Sequence, residues 1–196
     1  MPGPTNGYLI ERARSCLLAV DVQQYFLDKL PPHERGPLVQ RMAWLMRVAR
    51  ALDIPIIATA EDVERNGPLV PALAGLLPVG TSTYDKMIFG LMSQPDIRAA
   101  VDATGRDCFV LIGLETDVCI AHSALGLSAA GHRAVVIDDA CASPPPHHDH
   151  GLRRLRDAGI IVTSVKGIFY EWVRDLATYH RLKPELNVAL PEGLTL

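Results

Sequence analysis

Residues 108–119 read Cys108-Phe109-Val110-Leu111-Ile112-Gly113-Leu114-Glu115-Thr116-Asp117-Val118-Cys119. The run from Cys108 to Leu114 is apolar or small throughout and has no polar alternation. That is the pattern of a strand buried on both faces, as in a parallel sheet. A helical pattern follows from about Asp117 to Ala130, with Gly131 suited to its C-terminal stop. The segment therefore predicts a strand that turns directly into a helix, with the thiol of Cys119 in the first helical turn. Backbone N–H groups and the helix dipole at such a position favour a thiolate and lower its pKa. The same N–H groups can hold an oxyanion. A cysteine can equally be a small buried hydrophobe, and its spacing alone leaves both roles open.

Outward from this unit the same alternation repeats. Upstream, Cys16–Val20 reads as a buried strand ending at Asp21, and Leu38, Met42, Leu45, Met46, Ala49 and Leu52 follow helical spacing. Ile54–Thr59 is a second strand, Asn66 to Pro78 a stretch of short helix and loop, and Tyr84–Phe89 a third strand. Ile97, Ala100 and Val101 mark a helix that stops near Gly105. Downstream come a strand at Arg133–Ile137 and a rigid turn at Pro144, Pro145 and Pro146. The next helix turns Leu152 and Leu155 inward and Arg153, Arg154 and Arg156 to solvent, and Gly159 stops it. Ile160–Val165 is the last strand. Gly167–Thr178 is the last helix, with Phe169, Trp172, Val173 and Leu176 on one side, and the tail after Pro184 reads as irregular. Strands alternating with helices predict an α/β fold of three layers: a doubly wound, mostly parallel six-stranded sheet with helices on both faces.

With 196 residues the chain fits one domain, residues 1–196. It is 48% hydrophobic and carries a net charge of −3, which offers no electrostatic argument for nucleic acid or for an anionic membrane. Met1 to Ser15 is polar, with Pro2, Gly3 and Pro4, and lacks the basic-then-apolar pattern of a secretory signal. The apolar run Cys16–Val20 is too short to span a bilayer. The cysteines (Cys16, Cys108, Cys119 and Cys141) are widely spaced, which suggests a reducing, cytoplasmic setting without structural disulfides.

In a sheet of this kind ligands bind outside the carboxyl ends of the strands. The first strand ends in Asp21-Val22-Gln23, where an aspartate can serve chemistry or only cap a turn. Three motifs then carry a resemblance. Leu18-Ala19-Val20-Asp21-Val22-Gln23 with Phe26-Leu27, Tyr84-Asp85-Lys86-Met87-Ile88-Phe89, and Gly113-Leu114-Glu115-Thr116-Asp117-Val118-Cys119 stand in order, with Asp138-Asp139-Ala140-Cys141-Ala142-Ser143 downstream. From Leu17 to about Asp175 the chain resembles the isochorismatase-like cysteine hydrolase superfamily. The resemblance implies a catalytic triad of Asp21, Lys86 and Cys119. It also implies a cis peptide at Leu114–Glu115 that aims the Glu115 and Cys119 N–H groups at one oxyanion.

The chemistry so implied is acyl transfer. Cys119 attacks a carbonyl carbon, Asp21 accepts its proton and returns it to the leaving amine, then activates water against the thioester. Lys86 stabilises the charges of Asp21 and Cys119. Nicotinamidases of the superfamily carry an Asp-x-His metal motif after the second strand; here the stretch is Ala58-Thr59-Ala60-Glu61-Asp62-Val63-Glu64, without histidine. No metal and no cofactor are expected, and these carboxylates read as a solvated acidic loop. True isochorismatases lack the cysteine. The chain instead resembles a poorly characterised branch, also through Gly67–Leu73 and Phe169-Tyr170-Glu171-Trp172.

His147, His148, Asp149 and His150 read as a polar helix start, and Cys141 as packing. Gln23, Phe26, Phe89 and Thr116 are the expected pocket residues, and Met87 and Trp172 are further apolar candidates. The function expected is an amidohydrolase cleaving a C–N bond of a small carboxamide or ureido compound. A non-catalytic small-molecule binder or scaffold is the alternative, and a thiol redox enzyme a weaker one. A homo-oligomer is expected, on the family and on the apolar last helix.

Overall fold

The strands β1 (Ser15–Val20), β2 (Ile56–Glu61), β3 (Thr83–Lys86), β4 (Cys108–Leu114), β5 (Arg133–Ala142) and β6 (Ile161–Thr163) form one sheet in the order β3-β2-β1-β4-β5-β6. Every neighbouring pair is parallel. The computed structural model describes residues 8–186 and 190–196; Pro2, Gly3 and Pro4, and residues 187–189 of the tail, lie outside the described residues.

Period-2 side-chain alternation distributes each central strand between two cores. Leu17 and Ala19 of β1, with Val110 and Ile112 of β4, pack on one face beneath helices Pro32–Ala51, Val165–Val173 and Leu176–Leu186. Cys16, Leu18 and Val20, with Phe109 and Leu111, pack on the other beneath helices Pro95–Ala103, Ala121–Ala129 and His147–Asp157. All residues of β1 and β4 are buried, which explains why their sequences show no polar alternation.

The chain runs outward through β1, β2 and β3, then returns to lay β4 on the other side of β1. This reversal places the topological switch point between the C-terminal ends of β1 and β4, where such sheets bind ligands. At that seam Gly113 has φ +132°, and a Cβ there would stand 1.9 Å from the Val20 carbonyl oxygen. Gly113→Ala is therefore expected to cost more than about 4 kcal/mol. Gly131→Ala, also at positive φ (+87°) but with nothing near its Cβ, should cost about 1–2 kcal/mol. Urea midpoints of the two variants check the contrast.

Several boundaries differ from the sequence expectation. β3 ends at Lys86 because β2, its one neighbour among the described residues, ends at the paired Glu61. Met87, Ile88 and Phe89, expected in the strand, are instead exposed loop. β2 extends two residues beyond Thr59, and the last strand is only Ile161–Thr163. The single last helix is two: Val165–Val173 stops at Arg174, which has φ 68°, and Leu176–Leu186 begins after Asp175. Asp175 accepts from both the N–H and the hydroxyl of Thr178, so it caps the second helix and redirects the chain. Leu176 thereby leaves the apolar stripe and is 73% exposed, and the second helix runs through Pro184 to Leu186.

Phe169, Trp172 and Val173 are buried in the chain's own core. The Trp172 indole donates to Ser15 Oγ at 3.0 Å, at the N-terminal end of β1 and away from the switch point. Trp172 therefore neither lines a pocket there nor offers a surface for assembly. Among the described residues no helix is long and apolar enough to cross a membrane.

Candidate active site

Four side chains converge from the C-terminal ends of four adjacent strands. Lys86 closes β3 and Glu61 closes β2, paired in register; Asp21 follows β1, and Cys119 lies in the turn after β4. Asp21 is fully buried and left-handed, with φ 53°. Its N–H donates to the Thr59 carbonyl (3.0 Å), and its carbonyl accepts from the Gln23 N–H (2.9 Å). Asp21 Oδ1 accepts from the Thr59 hydroxyl at 2.7 Å, and Oδ2 lies 2.9 Å from Lys86 Nζ. Lys86 is also fully buried. Its ammonium donates to the Ile88 carbonyl at 3.0 Å and lies 3.4 Å from Glu61 Oε2 and 3.7 Å from Cys119 Sγ.

Glu61 is the member that sequence reading placed in a solvated loop. Its Oε2 accepts from the Cys119 thiol at 3.1 Å. The two extra residues of β2 explain this: Ile57, Thr59 and Glu61 share one strand face, so Glu61 follows Thr59 toward the site. Gln23 holds it there. The Gln23 amide donates to the carbonyls of Glu61 (2.8 Å) and Gly67 (2.6 Å) and accepts from the Glu61 N–H (2.7 Å). All of this expected pocket residue's reach is thus spent on backbone. A strand drawn to its last register partner, rather than to its last apolar residue, is the signal that would have found Glu61.

The charges are mutually dependent. Burial, then the neighbouring Asp21 carboxylate, pushes the Cys119 thiol up; Lys86 opposes this, and Glu61 adds to it. The resting sulfur is therefore a protonated thiol, against the sequence expectation that the helix start would make a thiolate. Desolvation and two carboxylates outweigh the dipole. Burial also raises Asp21, although Lys86, Thr59 and Cys119 all stabilise its ionised form. Burial works against the Lys86 ammonium, but Asp21, Cys119 and Glu61 overcome it and hold its pKa above the ordinary lysine value. Asp21, Glu61 and Cys119 offer ligand atoms within 4.8 Å of one another. A metal does not fit this donor set, because the Lys86 ammonium already lies within 3.7 Å of all three and would repel it.

The turn carrying Cys119 is held from behind. It begins as a wide turn, Thr116–Ile120, in which the Glu115 carbonyl accepts from both the Val118 and Ile120 N–H groups. The Leu114–Glu115 peptide is cis. Thr116, fully buried, pairs its hydroxyl with His148 Nδ1 at 2.8 Å, and His148 Nε2 lies 3.3 Å from Asp138. Ser143 Oγ donates to Asp117 at 2.6 Å, and a Cβ at Gly151 would come within 2.8 Å of the Asp117 nitrogen. The histidine run is thus the start of helix His147–Asp157, with His148 turned onto Thr116. Glu115 pairs with Lys29 at 3.0 Å, whose ammonium covers the Phe26 ring at 4.5 Å. Phe26 itself lies in the core. Phe89 is half exposed against His122. A cavity of about 470 Å³ lined by His33, Arg41, Asp138, Cys141, His148 and Asp149 does not include Cys119.

A parallel α/β sheet whose switch point holds a buried acid, lysine and cysteine is a layout that can use a thiol as a nucleophile. Residues 15–167 match the Isochorismatase domain, and the chain belongs to that family of hydrolases. Isochorismatase domain-containing protein 2 from Bos taurus is 32% identical over 171 residues, 86% of this chain and 79% of that protein. YcaC from Pseudomonas aeruginosa, solved with hexane-2,5-diol and covalent acrylamide, superimposes with TM-score 0.80 at 26% identity, covering 93% of this chain and 94% of that one. The YcaC gene product of Escherichia coli, described as an octameric hydrolase of unknown specificity, has the same fold with TM-score 0.80 at 24% identity over 92% and 94% of the chains.

Proposed function

We propose that the protein is a cysteine amidohydrolase that cleaves a C–N bond of a small carboxamide or ureido compound through a thioester. The observation that carries this reading is the Cys119 thiol set beside carboxylates and within 3.7 Å of a buried ammonium. Because the resting thiol is protonated, attack needs a base. Cys119 Sγ bonds to the carbonyl carbon as its proton passes to Asp21, whose raised proton affinity suits it to the task. The oxyanion rests on the backbone N–H groups of Glu115 and Cys119. Asp21 then returns the proton to the leaving nitrogen, the C–N bond breaks, and water hydrolyses the thioester. Lys86 stays protonated and offsets the charge that moves between sulfur and carboxylate.

Gln23 acts through Glu61, and Thr116, buried with its hydroxyl on His148, acts by holding the turn that carries Cys119. The P. aeruginosa YcaC, a protein of this fold, was solved with covalent acrylamide, and this supports a nucleophile in such proteins that reacts with a small electrophile. The octamer of the E. coli protein supports self-assembly. Four free cysteines, all buried, support a reducing, cytoplasmic setting. Burial and the neighbouring carboxylates, which push the Cys119 thiol up, favour the alternative of a binder that keeps the fold without turnover.

Ammonia release from a panel of small primary amides and ureido compounds separates the two readings. Turnover of at least one compound by the native chain, and none by Cys119→Ala, is expected. No release from any compound, with no acylation of the chain, contradicts the reading.

A further inference from the structure

The hydrolysis of a thioester needs a second base event, and the site contains two carboxylates of unequal access. Asp21 has no solvent exposure, and its oxygens are engaged by the Thr59 hydroxyl at 2.7 Å and the Lys86 ammonium at 2.9 Å. Glu61 is 17% exposed, and its Oε2 touches the sulfur at 3.1 Å. A water attacking an acyl group on that sulfur must approach from the side that solvent reaches. Glu61 is also built in rather than adventitious: the Gln23 side chain clamps its backbone N–H and carbonyl, and Asn66 donates to the same carbonyl at 3.1 Å.

We infer that Glu61 is a fourth catalytic residue, the general base that activates water in deacylation. Asp21 serves the thiol and the leaving group in acylation. This rests on the nucleophile assignment proposed above. In the step assigned to Glu61, its carboxylate removes a proton from water as the water oxygen bonds to the acyl carbon. The S–C bond then breaks, and the proton held by Glu61 passes to the departing Cys119 sulfur. The acid product leaves, and the resting thiol–carboxylate hydrogen bond is restored. No oxidant, reductant or further reactant is needed. Lys86 lies near both carboxylates and moderates the charge of each in its own half-reaction.

The test is burst kinetics with p-nitrophenyl acetate, an activated ester whose leaving group needs no acid. The native chain should give a stoichiometric burst of nitrophenolate followed by slow turnover, with one acetyl group on Cys119 by peptide mass mapping. Glu61→Gln should keep the burst within about threefold, accumulate acetyl-enzyme, and lose about 10²-fold or more in the steady state, the usual contribution of a general base. Hydroxylamine, a nucleophile that needs no base, should restore turnover to Glu61→Gln. Asp21→Asn should lose the burst itself, and hydroxylamine should not restore it. Loss of burst and turnover together in Glu61→Gln would mean that Glu61 only positions Lys86, and unchanged turnover would mean that it does nothing; either overturns the inference while leaving the nucleophile in place. A native chain that never acetylates Cys119 removes the nucleophile assignment, and this inference with it.

Discussion

Cys119→Ala should abolish amide hydrolysis, with a loss of at least about 10⁴-fold, the scale on which removal of a covalent nucleophile acts in enzymes whose groups work as a unit. Cys119→Ser should do nearly as badly. A hydroxyl is a far weaker acid than a thiol and would meet the same two carboxylates and the same desolvation that already hold the thiol protonated. Both variants should fold. Alanine leaves only a small void at a residue 2% exposed, and serine keeps a donor for Glu61 Oε2. A thermal midpoint close to that of the native chain, together with the absence of product, would place the loss in chemistry. Turnover by either variant within tenfold of the native chain contradicts the mechanism.

Lys86→Met should be lost mainly as stability, and in a pH-dependent way. Methionine resembles the lysine stem in size but leaves Asp21 as an uncompensated charge with no solvent exposure. Breaking a buried pair in this way costs about 3–5 kcal/mol. Burial already lifts Asp21 above its ordinary range against the lowering effect of Lys86, so removing the ammonium lifts it further. A raised folded-state pKa means that stability is fully present below the unfolded value, about 3.9, and is lost as pH rises through the folded value. The gap between the urea midpoints of the native chain and Lys86→Met should therefore be small near about pH 4 and large near about pH 7.5. Asp21→Asn added to Lys86→Met should recover most of the loss at the higher pH. Equal gaps at the two pH values would show that the pair is not the source.

The sheet and its order of elements were legible because each central strand is an uninterrupted apolar run, and two-sided burial leaves that mark directly in the residues. The positions of Asp21 and Cys119 were legible for the same reason, since each stands just past such a run where the chain turns, but the residues left the role of each open and only the resemblance implied it. Lys86 needed the resemblance. Its strand, Thr83–Lys86, lies at the sheet edge and is mostly polar, so nothing in its pattern says that the last residue points inward to full burial. Glu61 stayed hidden because β2 continues past its apolar part under the control of pairing with β3, which is tertiary information. The state of the thiol turns on the same kind of gap. The local helix start favours a thiolate, but the neighbours that decide the matter come from residues 21 and 61. The break between the last two helices turns on one left-handed residue, Arg174, a conformation that no arginine advertises.

Activation of Cys119 by its setting should show in a comparison of the protein's cysteines. Cys16, Cys108, Cys119 and Cys141 are all free and all at most 3% exposed, so exposure alone predicts similar protection for the four. Treating the native chain with acrylamide and mapping the adducts by peptide mass should show Cys119 modified at least about 10²-fold faster than the other three, with the preference lost in Asp21→Asn, as expected when a general base is removed. Modification of all four at one rate, or of Cys119 only after unfolding, would contradict the claim.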